Sequence, residues 1–200
     1  MLIYPAIIIA LVMLYQRTQA TNKNVMKNHK CLQGKHNYKP GHGNFPSFKN
    51  KGFAMLFSIP KTAWFDPTEN GPIGRDGKDW NKVAGVSFIN PFQPKTWRKN
   101  ASSAMIAWRP SERTGLFEVC AYTNDKSGKW TLSPIQTVKA GEVVGVTCNI
   151  SRRSVKYYLQ GWEAEHKINR TRICVPVGPW FGGNRKSPIT HTITTDFDLK

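Results

Sequence analysis

Few residues in this chain stand in patterns that do chemistry. Glu163 and Glu165 alternate, as do Asp196 and Asp198. A pair of carboxylates is the minimum for acid–base cleavage of a glycosidic bond. Neither pair falls in the E-x-D-x-x-E arrangement that β-sandwich glycosidases use, and alternate acids on a strand usually face solvent. A nucleophile elbow, a phosphate loop, a dinucleotide fingerprint and H-E-x-x-H are all missing. His29, Cys31, His36 and His42 fall close together but match no common zinc spacing. Asp66, Glu69, Asp76 and Asp79 could offer oxygens to calcium, yet Arg75 and Lys78 oppose a cation there and the EF-hand spacing is absent. The expectation is therefore a protein without a cofactor, calcium at that loop being the lesser alternative, whose role is binding, with a glycoside hydrolase as the distant alternative.

Charge sets the second expectation. Lys and Arg number 29 against 12 for Asp and Glu, a formal net charge of +17. Such a chain is drawn to nucleic acid, acidic lipid or acidic glycan. No acid precedes Asp66. The stretch 17–52 carries Lys23, Lys27, Lys30, Lys35 and Lys39 among Asn, Gly and His, with few large apolar residues and no period. It reads as a flexible basic arm, and those five lysines are its candidate contacts to nucleic acid or anionic lipid. Before it, Leu2 to Tyr15 is apolar. This run is shorter than the roughly 17–25 residues of a spanning helix, and no basic residue precedes it as in an exported leader. Residues 1–16 read as a hydrophobic helix, either an uncleaved anchor or a signal, which places the protein on a membrane or outside it.

From Phe53 onward the texture is that of strands. Short runs of β-branched and aromatic residues alternate with turn residues: 52–59, 83–89, 103–109, 116–122, 129–132, 135–138, 142–150, 155–160 and 191–197. No helical period competes. The pattern predicts an antiparallel β-sandwich or jelly roll over 53–200. In 116–122, Phe117, Val119 and Ala121 form the expected core face, opposite Leu116, Glu118, Cys120 and Tyr122. Cys31, Cys120, Cys148 and Cys174 allow three full disulfide pairings in an oxidising compartment, or stand as core thiols.

Several segments carry a resemblance. "FSIPKTAWFD" (57–66), "DWNKVAGVSF" (79–88), "SAMIAWRP" (103–110), "FEVCAYTNDKSGKW" (117–130) and "GPWFGGNRKSPITHTITTDF" (178–197) occur in that order. The order resembles a group of small uncharacterised β-sandwich proteins of Bacteroidota and their phages, similar to concanavalin-like or laminin-G-like jelly rolls. The resemblance covers about 53–199 and implies a membrane- or virion-associated module that binds glycans or a protein partner. Aromatic rings do the binding in such folds. Trp97, Trp130, Tyr158 and Trp162 are the candidates, Trp97 and Trp162 because their surroundings are polar. Core packing is expected for Trp108 and Trp180.

Overall fold

The computed structural model describes residues 26–42, 46–68, 78–89, 102–182 and 186–200. The hydrophobic segment 1–16, Lys23, Trp97 and most of the acidic loop after Thr68 lie outside them. The described residues contain no helix long and apolar enough to cross a membrane.

Among the described residues thirteen strands form two antiparallel sheets. They are β1 (Lys27–Cys31), β2 (Tyr38–Lys39), β3 (Gly52–Ser58), β4 (Asn81–Ile89), β5 (Ser103–Pro110), β6 (Leu116–Asn124), β7 (Trp130–Leu132), β8 (Gln136–Lys139), β9 (Val143–Ile150), β10 (Ser154–Leu159), β11 (Trp162–Lys167), β12 (Ile173–Val177) and β13 (His191–Leu199). One sheet has the order β11-β10-β9-β3-β13-β1-β2; the other runs β12-β4-β5-β6-β7, with β8 also on β6.

Period-two patterning decides which side of each strand is covered. On β6, Phe117, Val119 and Ala121 are fully buried in the main core, as their alternation predicts. On β10, Val155, Tyr157 and Leu159 face the same core, while Lys156 is exposed. Trp108 lies at the centre of the core, edge-on to Phe117 and to Phe181. The four cysteines are free, buried thiols. A disulfide framework is thus not what holds the sheets together.

The basic arm is corrected. Residues 27–39 are not a flexible linker but two strands of the larger sheet, with β1 paired to β13 from Lys27↔Thr195 to Cys31↔His191. His29, Cys31 and Tyr38 are buried in this edge, and Ser47 bridges Cys174 of the other sheet. The sandwich therefore begins well before residue 53. The partner of β1 is more than 150 residues away in sequence, so local composition could not reveal it. Strands β11 and β12 were equally hidden. β11 reads WEAEHK, with only Trp162, Ala164 and His166 on its inner side, and β12 contains Pro176.

Every histidine is placed by the tertiary structure. His191 donates Nδ1–H toward the Ile189 carbonyl (3.3 Å), so its Nε2 accepts from the Tyr38 hydroxyl at 2.6 Å. His29 donates Nδ1–H to the Pro40 carbonyl and accepts at Nε2 from Thr195 Oγ1 (2.8 Å), which in turn accepts from His42 Nε2 (3.3 Å). His166 and Tyr157 share the Thr123 hydroxyl, at 2.9 and 2.6 Å. Each imidazole is thus tied to a backbone carbonyl or a hydroxyl of the fold, and among the described residues no group of three or more metal-ligating side chains forms.

Candidate functional site

The six-stranded sheet has a second side, turned away from the core. Alternation and the register of β4, β5 and β6 bring three ranks of residues across it: Arg109 beside Glu118, Lys82 beside Ala107 and Cys120, and Met105 beside Tyr122 and Leu132. A register shift between Lys82 and Ala84 turns β4 here, and Gly85 lets it approach β5 closely: a Cβ at Gly85 would lie 2.1 Å from the Ala104 carbonyl oxygen.

This side is neither a plain solvated face nor a second core. Trp80, Ala107 and Cys120 form a small buried cluster with Tyr122 and Leu132 against it. Charges are built into the cluster. The Arg109 guanidinium lies over the Trp80 ring, 4.5 Å from its centroid, and its Nε donates to Glu118 Oε2 at 2.6 Å. Lys82 Nζ donates to the Trp80 carbonyl at 2.6 Å and stands 4.6 Å from the Tyr122 ring centroid. Burial lowers the affinity of Lys82 for its proton, and Asp79 opposes that shift. Burial pushes the Cys120 thiol up to about 12 and raises the Tyr122 phenol. Cys120 is therefore an inert thiol, not a nucleophile.

Two exposed tryptophans border this centre. Trp130, 59% exposed, lies nearly parallel to Tyr122 with centroids 6.5 Å apart. Trp180, 39% exposed, is bridged to Lys82 by reciprocal backbone hydrogen bonds of 2.8 and 2.9 Å. Residues directly opposite in an antiparallel pair share a side, so Trp180 stands on the same side as Lys82. His36 stacks on the Trp180 ring, with planes 8° apart, and its Nδ1 donates to the Phe181 carbonyl. Core packing is thus wrong for Trp180 and right for Trp108. The motif W-F-G-G carried no hint of exposure, because Trp180 is turned outward by pairing with β4. Beside the Arg109 end opens a cleft of ≈ 260 Å³ lined by Pro67, Lys78, Arg109, Ser111, Glu112 and Arg113, among others.

The aromatic residues singled out in the sequence do not form one site. Trp130 lies on the side just described. Tyr158 lies on the outer side of the other sheet, opposite Glu163 of β11. Trp162, expected to be exposed, is half-buried against the core, because its pairing with Leu159 turns it inward. Lys27, Lys30, Lys35 and Lys39 are all exposed on the β1–β2 edge. Both acidic pairs considered for catalysis, Glu163/Glu165 and Asp196/Asp198, belong to the larger sheet, and Glu165 is bound by Lys156 at 3.3 Å.

No protein-family profile and no curated protein matches the sequence. Solved structures do. A family 18 polysaccharide lyase superposes with a TM-score of 0.50 at 7% identity, over 91% of this chain and 93% of the other. The fold is concanavalin-like. Two further structures match at lower scores. An alginate lyase from Alteromonas sp. 272 has a TM-score of 0.46 at 8% identity, over 84% of this chain and 82% of its own. The Thermotoga maritima laminarinase catalytic domain has 0.44 at 9%, over 89% and 80%.

Proposed function

We propose that the protein is a glycan-recognition sandwich that holds its ligand on the outer side of the six-stranded sheet. The observation that carries this reading is the pair of solvent-exposed tryptophans, Trp130 and Trp180, on either side of Lys82 and Tyr122. Sugar rings stack on aromatic faces while a few fixed polar groups take their hydroxyls. Trp180 lies beyond β4 and Trp130 on β7, four strand spacings apart, or roughly 20 Å across the sheet. That span fits an oligosaccharide rather than a single sugar. Between the two tryptophans Lys82 supplies a fixed donor and Tyr122 a further ring, while Arg109 caps the buried Trp80 at the cleft end. The superposed polysaccharide lyase is named for a polysaccharide substrate, which is consistent with this ligand class.

Recognition without turnover is the role that the side chains favour. The Glu118 carboxylate accepts a hydrogen bond from Arg109 Nε, and the two alternating acidic pairs, Glu163/Glu165 and Asp196/Asp198, lie on the other sheet. The test is affinity electrophoresis and calorimetry of the full chain against a panel of neutral and acidic polysaccharides, with product analysis after prolonged incubation. Binding should fall at least tenfold in Trp130→Ala and in Trp180→Ala, with the β-sheet circular dichroism spectrum retained and no shortening of the polymer. Binding that survives both substitutions removes this site; release of shortened products makes the protein an enzyme.

A further inference from the structure

The lysines of the supposed arm become a fixed surface once β1 and β2 join the sheet. Lys30 and Lys39 are directly opposite each other across the β1–β2 pair, both exposed. Lys35 lies in the connecting turn, and the backbone N–H of Ser187 donates to its carbonyl at 2.8 Å, which brings exposed Lys186 alongside. The turn is held in shape: Gly34 donates to the Ser187 carbonyl (2.8 Å), Gly34 takes φ +75°, and Gln33 N–H donates to Thr190 Oγ1 (3.0 Å). Along β13 the nearest acid is Asp196, four residues beyond Thr192, the partner of Lys30.

At the tip of this turn sits Leu32, 49% exposed and flanked by Lys30 and Lys35. Edge lysines alone have a simple explanation, since they keep other strands from adding to the sheet. Leu32 does not share it, because an exposed apolar side chain on an edge favours association. An apolar tip inside a ring of lysines is instead the arrangement of a segment that enters the interface of an anionic bilayer, with the ammonium groups at the phosphates. Nucleic acid fits less well. The connecting turn, 32–37, holds no arginine, and its one ring, His36, is already stacked on Trp180 and so is not offered to a base.

We propose that the β1–β2 turn is a membrane-contact element: Leu32 enters the headgroup region of an anionic bilayer, and Lys30, Lys35, Lys39 and Lys186 pair with lipid phosphates. This turn adjoins the tryptophan-lined site through His36, which stacks on Trp180, but Leu32 and the four lysines take no part in that site, so either proposal can fail without the other. It also agrees with the apolar Leu2–Tyr15 stretch, since a weak apolar anchor gains a second, electrostatic signal.

The test places an environment-sensitive nitrobenzoxadiazole label on Leu32→Cys in the full chain. The four native thiols are buried, so the new one labels selectively. Vesicles of phosphatidylcholine with about a third phosphatidylserine should blue-shift and brighten the label; pure phosphatidylcholine should not. Each lysine near an anionic surface contributes about fivefold to partitioning. The variant Lys30→Gln/Lys35→Gln/Lys39→Gln/Lys186→Gln should therefore need at least tenfold more anionic lipid for the same signal. It should melt no lower than the parent, because it also removes the Lys30–Lys39 repulsion. High salt should reverse the signal. An equal response on both vesicle types, a response unaltered in the quadruple variant, or a larger response to duplex DNA than to anionic vesicles would overturn the proposal.

Discussion

Acid should unfold this protein from the inside, and the effect can be worked from two histidines. His191 is 2% exposed, donates Nδ1–H toward the Ile189 carbonyl and accepts from the Tyr38 hydroxyl. The rings of Trp108, Phe181 and Tyr38 pack around it, and among the described residues no carboxylate raises its affinity for a second proton. Burial holds it at about 4 in the folded state, against an ordinary value of 6.5. His42 is held at about 4 as well, by burial first and then by His29 and Lys27. The sign follows from which state binds the proton. Above pH 6.5 neither state does, and stability is full. Between 6.5 and 4 the unfolded chain is protonated and the folded chain is not, so stability falls as pH falls. Each unit below 6.5 costs about 1.4 kcal/mol per histidine. At pH 5 that is about 2 kcal/mol for His191 and as much for His42, or roughly 4 kcal/mol together. Domains of this size hold only roughly 5–15 kcal/mol in all. The assay is urea unfolding, followed by tryptophan fluorescence, at pH 7, 6 and 5. His191→Gln keeps an acceptor for Tyr38 but cannot titrate. It should begin less stable than the parent at pH 7 and lose about 2 kcal/mol less between pH 7 and 5. Carboxylate titration below pH 5 is common to both proteins and cancels in the difference. Parallel pH profiles for parent and variant would refute the reasoning, since His191 would then be titrating alike in both states.

Other outcomes test the packing. Gly85→Ala must push β4 off β5, because the new methyl would meet the Ala104 carbonyl at 2.1 Å and Met105 Cα at 2.6 Å. A loss of about 1–3 kcal/mol or more is expected from overpacking, read by chemical denaturation. Tyr157→Phe removes the hydroxyl that shares Thr123 with His166, and the buried group left with one partner fewer should cost about 1–2 kcal/mol in the same assay. The four cysteines should resist an aromatic disulfide reagent at pH 8 and react together on unfolding, because burial raises Cys31 and Cys174 to about 11 and Cys120 to about 12. Fast reaction of one thiol in the native state would show that the sheet around it opens.

Residues 116–122 show what was legible in the sequence. Phe117, Val119 and Ala121 alternate with Glu118, Cys120 and Tyr122, and a period of two needs only neighbours to declare itself. By the same logic most strands from Gly52 to Leu159, the two-sheet antiparallel class and the buried state of Trp108 could be read in advance. The candidate site could not. Trp130 was among the candidate rings, but its value depends on Tyr122, Lys82 and Trp180, and these meet only through the register of β4 with β5, β6 and the segment after β12. Tyr158 and Trp162 looked alike in sequence and went to opposite sides of one sheet. The basic stretch around Lys30 showed no local period and read as an arm, yet its backbone finds partners on β13. Composition and periodicity are properties of neighbours along the chain, so the sequence by itself determined most of the strands from Gly52 to Leu159, the sheet class and the net charge. Which aromatic ring meets which cation, and whether a polar stretch is ordered, are set by strand pairing between residues that are distant along the chain, and only the tertiary structure decided them.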